Sequence, residues 1–135
     1  GPRQRPDLAI HKFTKAINEE KEIPFYGDGT TQRDYTYIDD IIDGVLKSIV
    51  YLEENKNIYE IINLGESETI SLRKMVETLE KEIGKKAILK QLSMQPGDVN
   101  RTFADISKAK ELIGYDPKTK FEEGIKKFVN WYRNK

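Results

Sequence analysis

The sequence contains no cysteine. Disulfide frameworks, thiol nucleophiles and thiolate metal sites are therefore excluded. Histidine is almost missing too: His11 stands alone, so no histidine cluster for zinc can form. Net charge is absent. The 23 Lys and Arg balance the 23 Asp and Glu, which removes the electrostatic case for nucleic acid or a membrane surface as partner. No apolar run approaches the roughly 20 residues of a membrane span, and no signal peptide is visible at the start. A cytoplasmic protein is the default expectation. A glycine-rich dinucleotide turn after a first strand is missing, as is a P-loop lysine pattern. The chain opens Gly1-Pro2-Arg3-Gln4-Arg5-Pro6-Asp7 without an initiating methionine, which fits either a tag remnant or the interior of a longer protein.

What is there fits one domain: 135 residues can bury a real core. The chain is organised around residues 23–39. Ile23 to Tyr26 reads as a short strand, and Gly27-Asp28-Gly29 as a turn, because glycine takes positive φ without strain. Arg33 follows on a segment to Ile38 that alternates aromatic and polar residues like a strand. Asp39 or Asp40 can cap the helix after it. From composition alone this is a hairpin with a polar, solvated tip.

The rest of the chain reads in order. Asp7 can cap a helix from Leu8 to about Lys21, with Ile10, Phe13 and Ile17 on its apolar face. His11 and Lys12 fall off that face, so His11 reads as a surface residue rather than a catalyst. Asp40 to Glu54 is a helix by the spacing of Ile41, Ile42, Val45, Leu46, Ile49 and Leu52, with Gly44 allowing close packing. Tyr59 to Leu64 reads as a buried strand. Ser71 caps a helix through Ile83 that Gly84 ends. Ala87 to Leu92 is another strand, and Thr102 to Ala104 a brief one. Ser107 opens a short helix closed by Gly114. Thr119 and Glu122 have capping-box spacing before a last helix, Lys120 to Arg133. The result is a small mixed α/β domain of short strands and about five helices, without a regular βαβ series.

On its own residues the chain carries no complete catalytic set. Asp39-Asp40 reads as a cap plus a solvated neighbour. What remains suits a binding surface: Arg3, Arg5, Arg33, Gln95, Asp98 and Arg101 all lie in loop or turn contexts. Phe25 and Tyr26 adjoin the glycine turn. An aromatic ring, an accessible backbone N–H at Gly27 and an arginine suit a base plus a phosphate. An acidic residue such as Asp98 suits ribose hydroxyls.

Three stretches carry a family likeness: Gly1 to Asp7, the run Tyr26-Gly27-Asp28-Gly29-Thr30-Thr31-Gln32-Arg33-Asp34-Tyr35-Thr36-Tyr37-Ile38-Asp39-Asp40, and Gln95-Pro96-Gly97-Asp98 with Ala104-Asp105-Ile106-Ser107-Lys108-Ala109. Together they resemble the carboxyl-terminal portion of NAD-dependent nucleotide-sugar epimerases and dehydratases, the extended short-chain dehydrogenase/reductase group. Within it the likeness is strongest to the UDP-glucuronate 4-epimerase branch.

The resemblance implies a two-lobed parent. An amino-terminal Rossmann lobe would hold NAD and a Tyr-x-x-x-Lys catalytic pair, and the carboxyl-terminal lobe would bind the UDP of a UDP-sugar. Residues 1–135 would be that second lobe, lacking the Rossmann domain, binding no NAD itself, holding no catalytic residue and inactive alone. The parent would be a homodimer paired through the missing lobe. By the same resemblance Arg33 contacts the diphosphate, Tyr26 with the Phe25 backbone lies beside the uracil, Asp98 nears the ribose and Arg5 nears the sugar carboxylate. Arg3 is a weaker candidate. Gln95 stands where many galactose-type epimerases have arginine, which points to the glucuronate branch and leaves Arg101 as a compensating cation. A dehydratase or decarboxylase lobe, or a free-standing sugar-nucleotide-binding module, remains the alternative.

Overall fold

A computed structural model of the chain describes residues 1–94 and 96–135. Five helices and four short strands follow one another: α1 (Ala9–Asn18), β1 (Glu22–Tyr26), β2 (Gln32–Asp34), α2 (Ile38–Glu54), β3 (Thr69–Ser71), α3 (Leu72–Ile83), β4 (Ile88–Leu92), α4 (Ser107–Ile113) and α5 (Phe121–Arg133). This is the small mixed α/β domain expected.

The core forms where the period of each element matches its neighbour's. In β1 the alternation sends Ile23 and Phe25 inward and leaves Pro24 and Tyr26 outward. Phe13 and Ile17 of α1, Met75, Val76, Leu79 and Ile83 of α3, and Phe121, Ile125 and Val129 of α5 close around them. The buried Thr14 hydroxyl donates to the Ile10 carbonyl at 2.7 Å, which meets its hydrogen-bonding need within the helix. A smaller cluster, Ile106, Ala109 and Tyr115 with Ile62 and Leu64, packs beneath α2. There Gly44 permits close approach: a Cβ at that position would lie 2.7 Å from a Leu64 methyl.

The organising stretch is not a hairpin. β1 pairs in parallel with β4, and β2 pairs antiparallel with β3, so the two strands flanking the glycine turn lie in different sheets. The start of α3 explains this. Its free N–H groups need acceptors, and the turn supplies two: Leu72 N donates to the Thr31 carbonyl at 2.9 Å and Arg73 N to that of Gly29 at 3.0 Å. Ser71 Oγ takes the next, from Lys74 N at 3.1 Å, as the capping pattern predicts. Gly29 holds φ +80° with the Phe25 ring where a side chain would go.

Several local expectations fail. Asp7 does not cap α1, because Arg5 engages its carboxylate; the N-cap is Leu8, without a side-chain bond. β2 ends at Asp34 and α2 begins at Ile38 after an N-cap at Tyr37, so neither Asp39 nor Asp40 caps it. Asp40 is buried instead, accepting from Lys118 N at 2.9 Å and Thr119 N at 3.1 Å. That use of Thr119 accompanies an N-cap at Lys120 with no side-chain bond, and no Thr119–Glu122 capping box forms. His11 is 7% exposed, not a surface residue: Phe128, Trp131 and Tyr132 surround its ring edge-on. Residues 59–64 form no strand and pair with none among the described residues, and Tyr59 is 89% exposed. Residues 102–104 form no strand; only an isolated bridge from Gln32 to Arg101 occurs beside them. Most of the apolar face of α2 meets solvent: Ile42, Val45, Leu46 and Ile49 are all exposed, because no described element lies against them.

Candidate functional site

A cleft of about 240 Å³ opens where α1, β1 and β2 converge on the start of α3. Periodicity decides which side chains reach it. Pro24 and Tyr26 are the outward residues of β1. Thr31, Arg33 and Tyr35 share one side of the chain around β2, at period two. Ala9, Lys12 and Phe13 form one stripe of α1, at helical spacing. Asp98 and Asp7 stand at the cleft as its carboxylates.

Arg33 and Asp98 are ion-paired across 65 residues of sequence, with side chains 27% and 38% exposed. Arg33 Nη1 also donates to the Gln32 carbonyl at 2.8 Å. The guanidinium retains donors for a ligand, since it carries five N–H groups. Tyr35 packs on Phe121 with ring centroids 5.4 Å apart. Burial pushes its phenol above the usual tyrosine range, opposed by the nearby Arg33 charge, so its O–H stays a neutral donor.

Asp34 points the other way from Arg33 and pins it. Its carboxylate accepts from Glu66 N at 3.0 Å, Ser67 N at 3.2 Å, Ala104 N at 3.2 Å and Thr36 Oγ1 at 3.3 Å. Beyond this knot the Tyr115 hydroxyl donates to the Gly65 carbonyl at 3.1 Å. Burial, followed by the charges of Asp40 and Glu66, pushes the Tyr115 phenol up to about 12. The Glu66 side chain is 6% exposed, with Lys120 3.7 Å away and Oε2 without a hydrogen-bond partner among the described residues. Burial raises its carboxyl above the usual range, offset in part by Lys120.

Of the nine residues singled out from sequence, Tyr26, Arg33 and Asp98 line the cleft together, and Arg3 does not line it. Arg5 does not line it. It holds Asp7 by two hydrogen bonds, at 3.0 and 3.2 Å, and Asp7 is the residue at the cleft. Phe25 is core, under the Arg73 guanidinium at 5.6 Å, and its backbone is paired in the β1–β4 ladder, its carbonyl accepting from Gln91 Nε2 at 3.3 Å. Gly27 corrects an expectation: its N–H is not accessible but donates to the Leu92 carbonyl at 2.9 Å, extending the β1–β4 ladder. Gln95 lies outside the described residues. Arg101 stacks on Phe103 at 5.0 Å and does not line the cleft. Sequence reasoning missed Lys12, Thr31 and Tyr35. The period-two spacing from Arg33 could have found the last two.

No group of three or more metal-ligating side chains occurs among the described residues. No described helix is long and apolar enough to cross a membrane. The turn at Gly27–Gly29 leads from β1 into β2 rather than into a helix, unlike the glycine-rich turn of a dinucleotide fold.

The family described as GDP-mannose 4,6 dehydratase matches residues 1–128. A UDP-glucuronate 4-epimerase of Thermodesulfobacterium geofontis is 49% identical over 132 residues, 97% of this chain and 39% of that protein. Among solved structures, the UDP-glucuronic acid 4-epimerase of Bacillus cereus in complex with UDP-glucuronic acid and NAD is 40% identical. It superposes with a TM-score of 0.89 over 99% of this chain and 42% of its own. The UDP-glucose 4-epimerase of Thermotoga maritima with UDP-glucose is 31% identical, with a TM-score of 0.84 over 99% of this chain and 43% of its own. The chain thus spans about two fifths of the length of the relatives it matches. It belongs to the GDP-mannose 4,6 dehydratase family, within the NAD-dependent extended short-chain dehydrogenase/reductases, and covers their carboxyl-terminal portion.

Proposed function

We propose that this chain is the nucleotide-holding lobe of a UDP-sugar 4-epimerase acting on UDP-glucuronate. The observation that carries the reading is the meeting of Tyr26, Arg33 and Asp98 at one cleft, from three separate segments. The Tyr26 ring flanks the base. The free donors of Arg33 take diphosphate oxygens, a charge-assisted contact that fork geometry favours. Asp98 accepts from the ribose hydroxyls, and Arg5 exchanges Asp7 for the sugar carboxylate. Firm grip on the nucleotide with a loosely held hexose lets a C4 ketone present either face.

In this reading the remaining three fifths of the relatives' length forms an amino-terminal lobe that carries NAD and the catalytic acid–base groups. Held in that lobe, NAD would provide the hydride-transfer chemistry at C4. The exposed apolar face of α2 and the unpaired backbone at residues 59–64 are the surface for that lobe. The B. cereus structure supports the reading, since it holds UDP-glucuronic acid and NAD together over a fold of which this chain matches two fifths. The description of the matching family favours a second reading, a dehydratase lobe.

A chimera tests which nucleotide sugar this lobe holds. This chain replaces the matching segment of the T. geofontis relative, and the purified chimera is offered UDP-glucuronate and GDP-mannose. C4 epimerisation of UDP-glucuronate, abolished by Arg33→Ala, is expected. A folded chimera that turns over only GDP-mannose, or that is indifferent to Arg33→Ala, contradicts the reading.

A further inference from the structure

We infer that Lys12 is a ligand-contacting residue of the cleft, donating its ammonium to an oxygen of the bound nucleotide. The inference rests on the proposed reading of the cleft as a nucleoside-diphosphate site. Its first ground is orientation. His11 is buried against α5 and anchored twice to the preceding loop: Nδ1 lies 2.8 Å from the Gln4 carbonyl, and the His11 amide donates to Gln4 Oε1 at 3.1 Å. A carbonyl oxygen can only accept, so Nδ1 carries the proton. These anchors fix the rotation of α1. One residue further round the helix, Lys12 is turned into the cleft beside Ala9 and Phe13.

The second ground is charge. Four charged side chains line the cleft, Asp7, Lys12, Arg33 and Asp98. Asp98 already engages Arg33, and Asp7 is engaged by Arg5. Lys12 forms no ion pair among the described residues and is exposed on the cleft side. Beside the remaining donors of Arg33, it offers a diphosphate a whole cation whose charge no described carboxylate has already met. Without it the lining residues sum to net negative, which opposes an anionic ligand. The recipient is a nucleotide oxygen, on the diphosphate or at an exocyclic carbonyl of the base.

The test is a binding titration of UDP and of uridine into the whole chain, as wild type, Lys12→Met, Lys12→Arg and Lys15→Met. Lys15 lies on the same helix away from the cleft and serves as control. Lys12→Met should weaken UDP binding about tenfold or more, the worth of a hydrogen bond to a charged group. Lys12→Arg should recover most of the loss, and Lys15→Met should change nothing. An unchanged affinity for uridine assigns Lys12 to the diphosphate; an equal loss assigns it to the base. Wild-type binding that survives Lys12→Met overturns the inference alone. Wild type that binds neither ligand overturns the cleft's reading and this inference with it.

Discussion

Replacing Asp34 by alanine should unfasten the cleft from the rest of the molecule. The Asp34 carboxylate receives three backbone N–H groups from two distant segments, those of Glu66, Ser67 and Ala104, at 3.0 to 3.2 Å. Alanine leaves all three without an acceptor. An orphaned, part-buried donor costs about 1–3 kcal/mol. Water can reach some of these groups because Asp34 is only half-buried and lines an open groove with Gly65 and Thr102, so the lower end applies. Three donors near the lower bound sum to about 3–4 kcal/mol. For a domain of typical stability, about 5–15 kcal/mol, that is a large fraction. Urea unfolding followed by circular dichroism should show a lower midpoint with an unchanged slope. Asp34→Asn keeps one acceptor oxygen but turns an N–H₂ group toward a donor, so its loss should fall between those of wild type and Asp34→Ala. Arg33→Ala is the control: its side chain is part-exposed and engages Asp98 and the adjacent Gln32 carbonyl, so it should cost about 1 kcal/mol or less. An Asp34→Ala loss below about 1 kcal/mol would refute the assignment of this carboxylate as the knot.

Four further outcomes follow from the same geometry. Glu66→Gln should stabilise the protein near neutral pH, because burial holds the folded carboxyl above its unfolded value. With a raised folded pKa the native state prefers the proton, so Glu66 contributes favourably below the unfolded carboxylate range and loses that as pH rises through the raised value; the gain from Glu66→Gln should shrink on acidification. Tyr115→Phe should cost about 1–2 kcal/mol for the Gly65 carbonyl it strands, and the ultraviolet titration of wild type should show a phenol that ionises only near pH 12 and is missing from Tyr115→Phe, given its value of about 12. Gly44→Ala should cost about 1–3 kcal/mol by pushing α2 off Leu64, read as a drop in melting temperature. The exposed apolar face of α2 should drive self-association of the chain, and Leu46→Lys with Ile49→Lys should suppress it by light scattering without lowering the melting temperature.

Local signals were most legible where one element decides its own fate. Ser71 and Gly84 bound α3, and the alternation of Ile23 and Phe25 sets the buried face of β1. What failed was decided by distant partners. The glycine turn looks like a hairpin tip, yet the orphan N–H groups of α3 claim its carbonyls. Asp40 reads as a cap, yet the backbone at 118–119, far along the chain, claims it. His11 is polar and falls off the main apolar stripe, yet α5 brings three aromatic rings to it. Residues 59–64 have strand character without a described partner. In the cleft, Tyr26, Arg33 and Asp98 came from a family likeness. Thr31 and Tyr35 were within reach of the period-two spacing from Arg33, whereas Lys12 needed the docking of α1 against β1 and β2, which spacing alone does not report.

The most direct test of the account is a titration of UDP into the isotope-labelled chain, followed by backbone amide NMR. A half-site should bind at roughly 100 μM or weaker, near −5.5 kcal/mol. The account predicts shifts confined to Lys12, Tyr26, Thr31 to Tyr35 and Asp98, lost in Arg33→Ala. Shifts centred on the face of α2 or on residues 102–104, with the cleft silent at millimolar UDP, would contradict it.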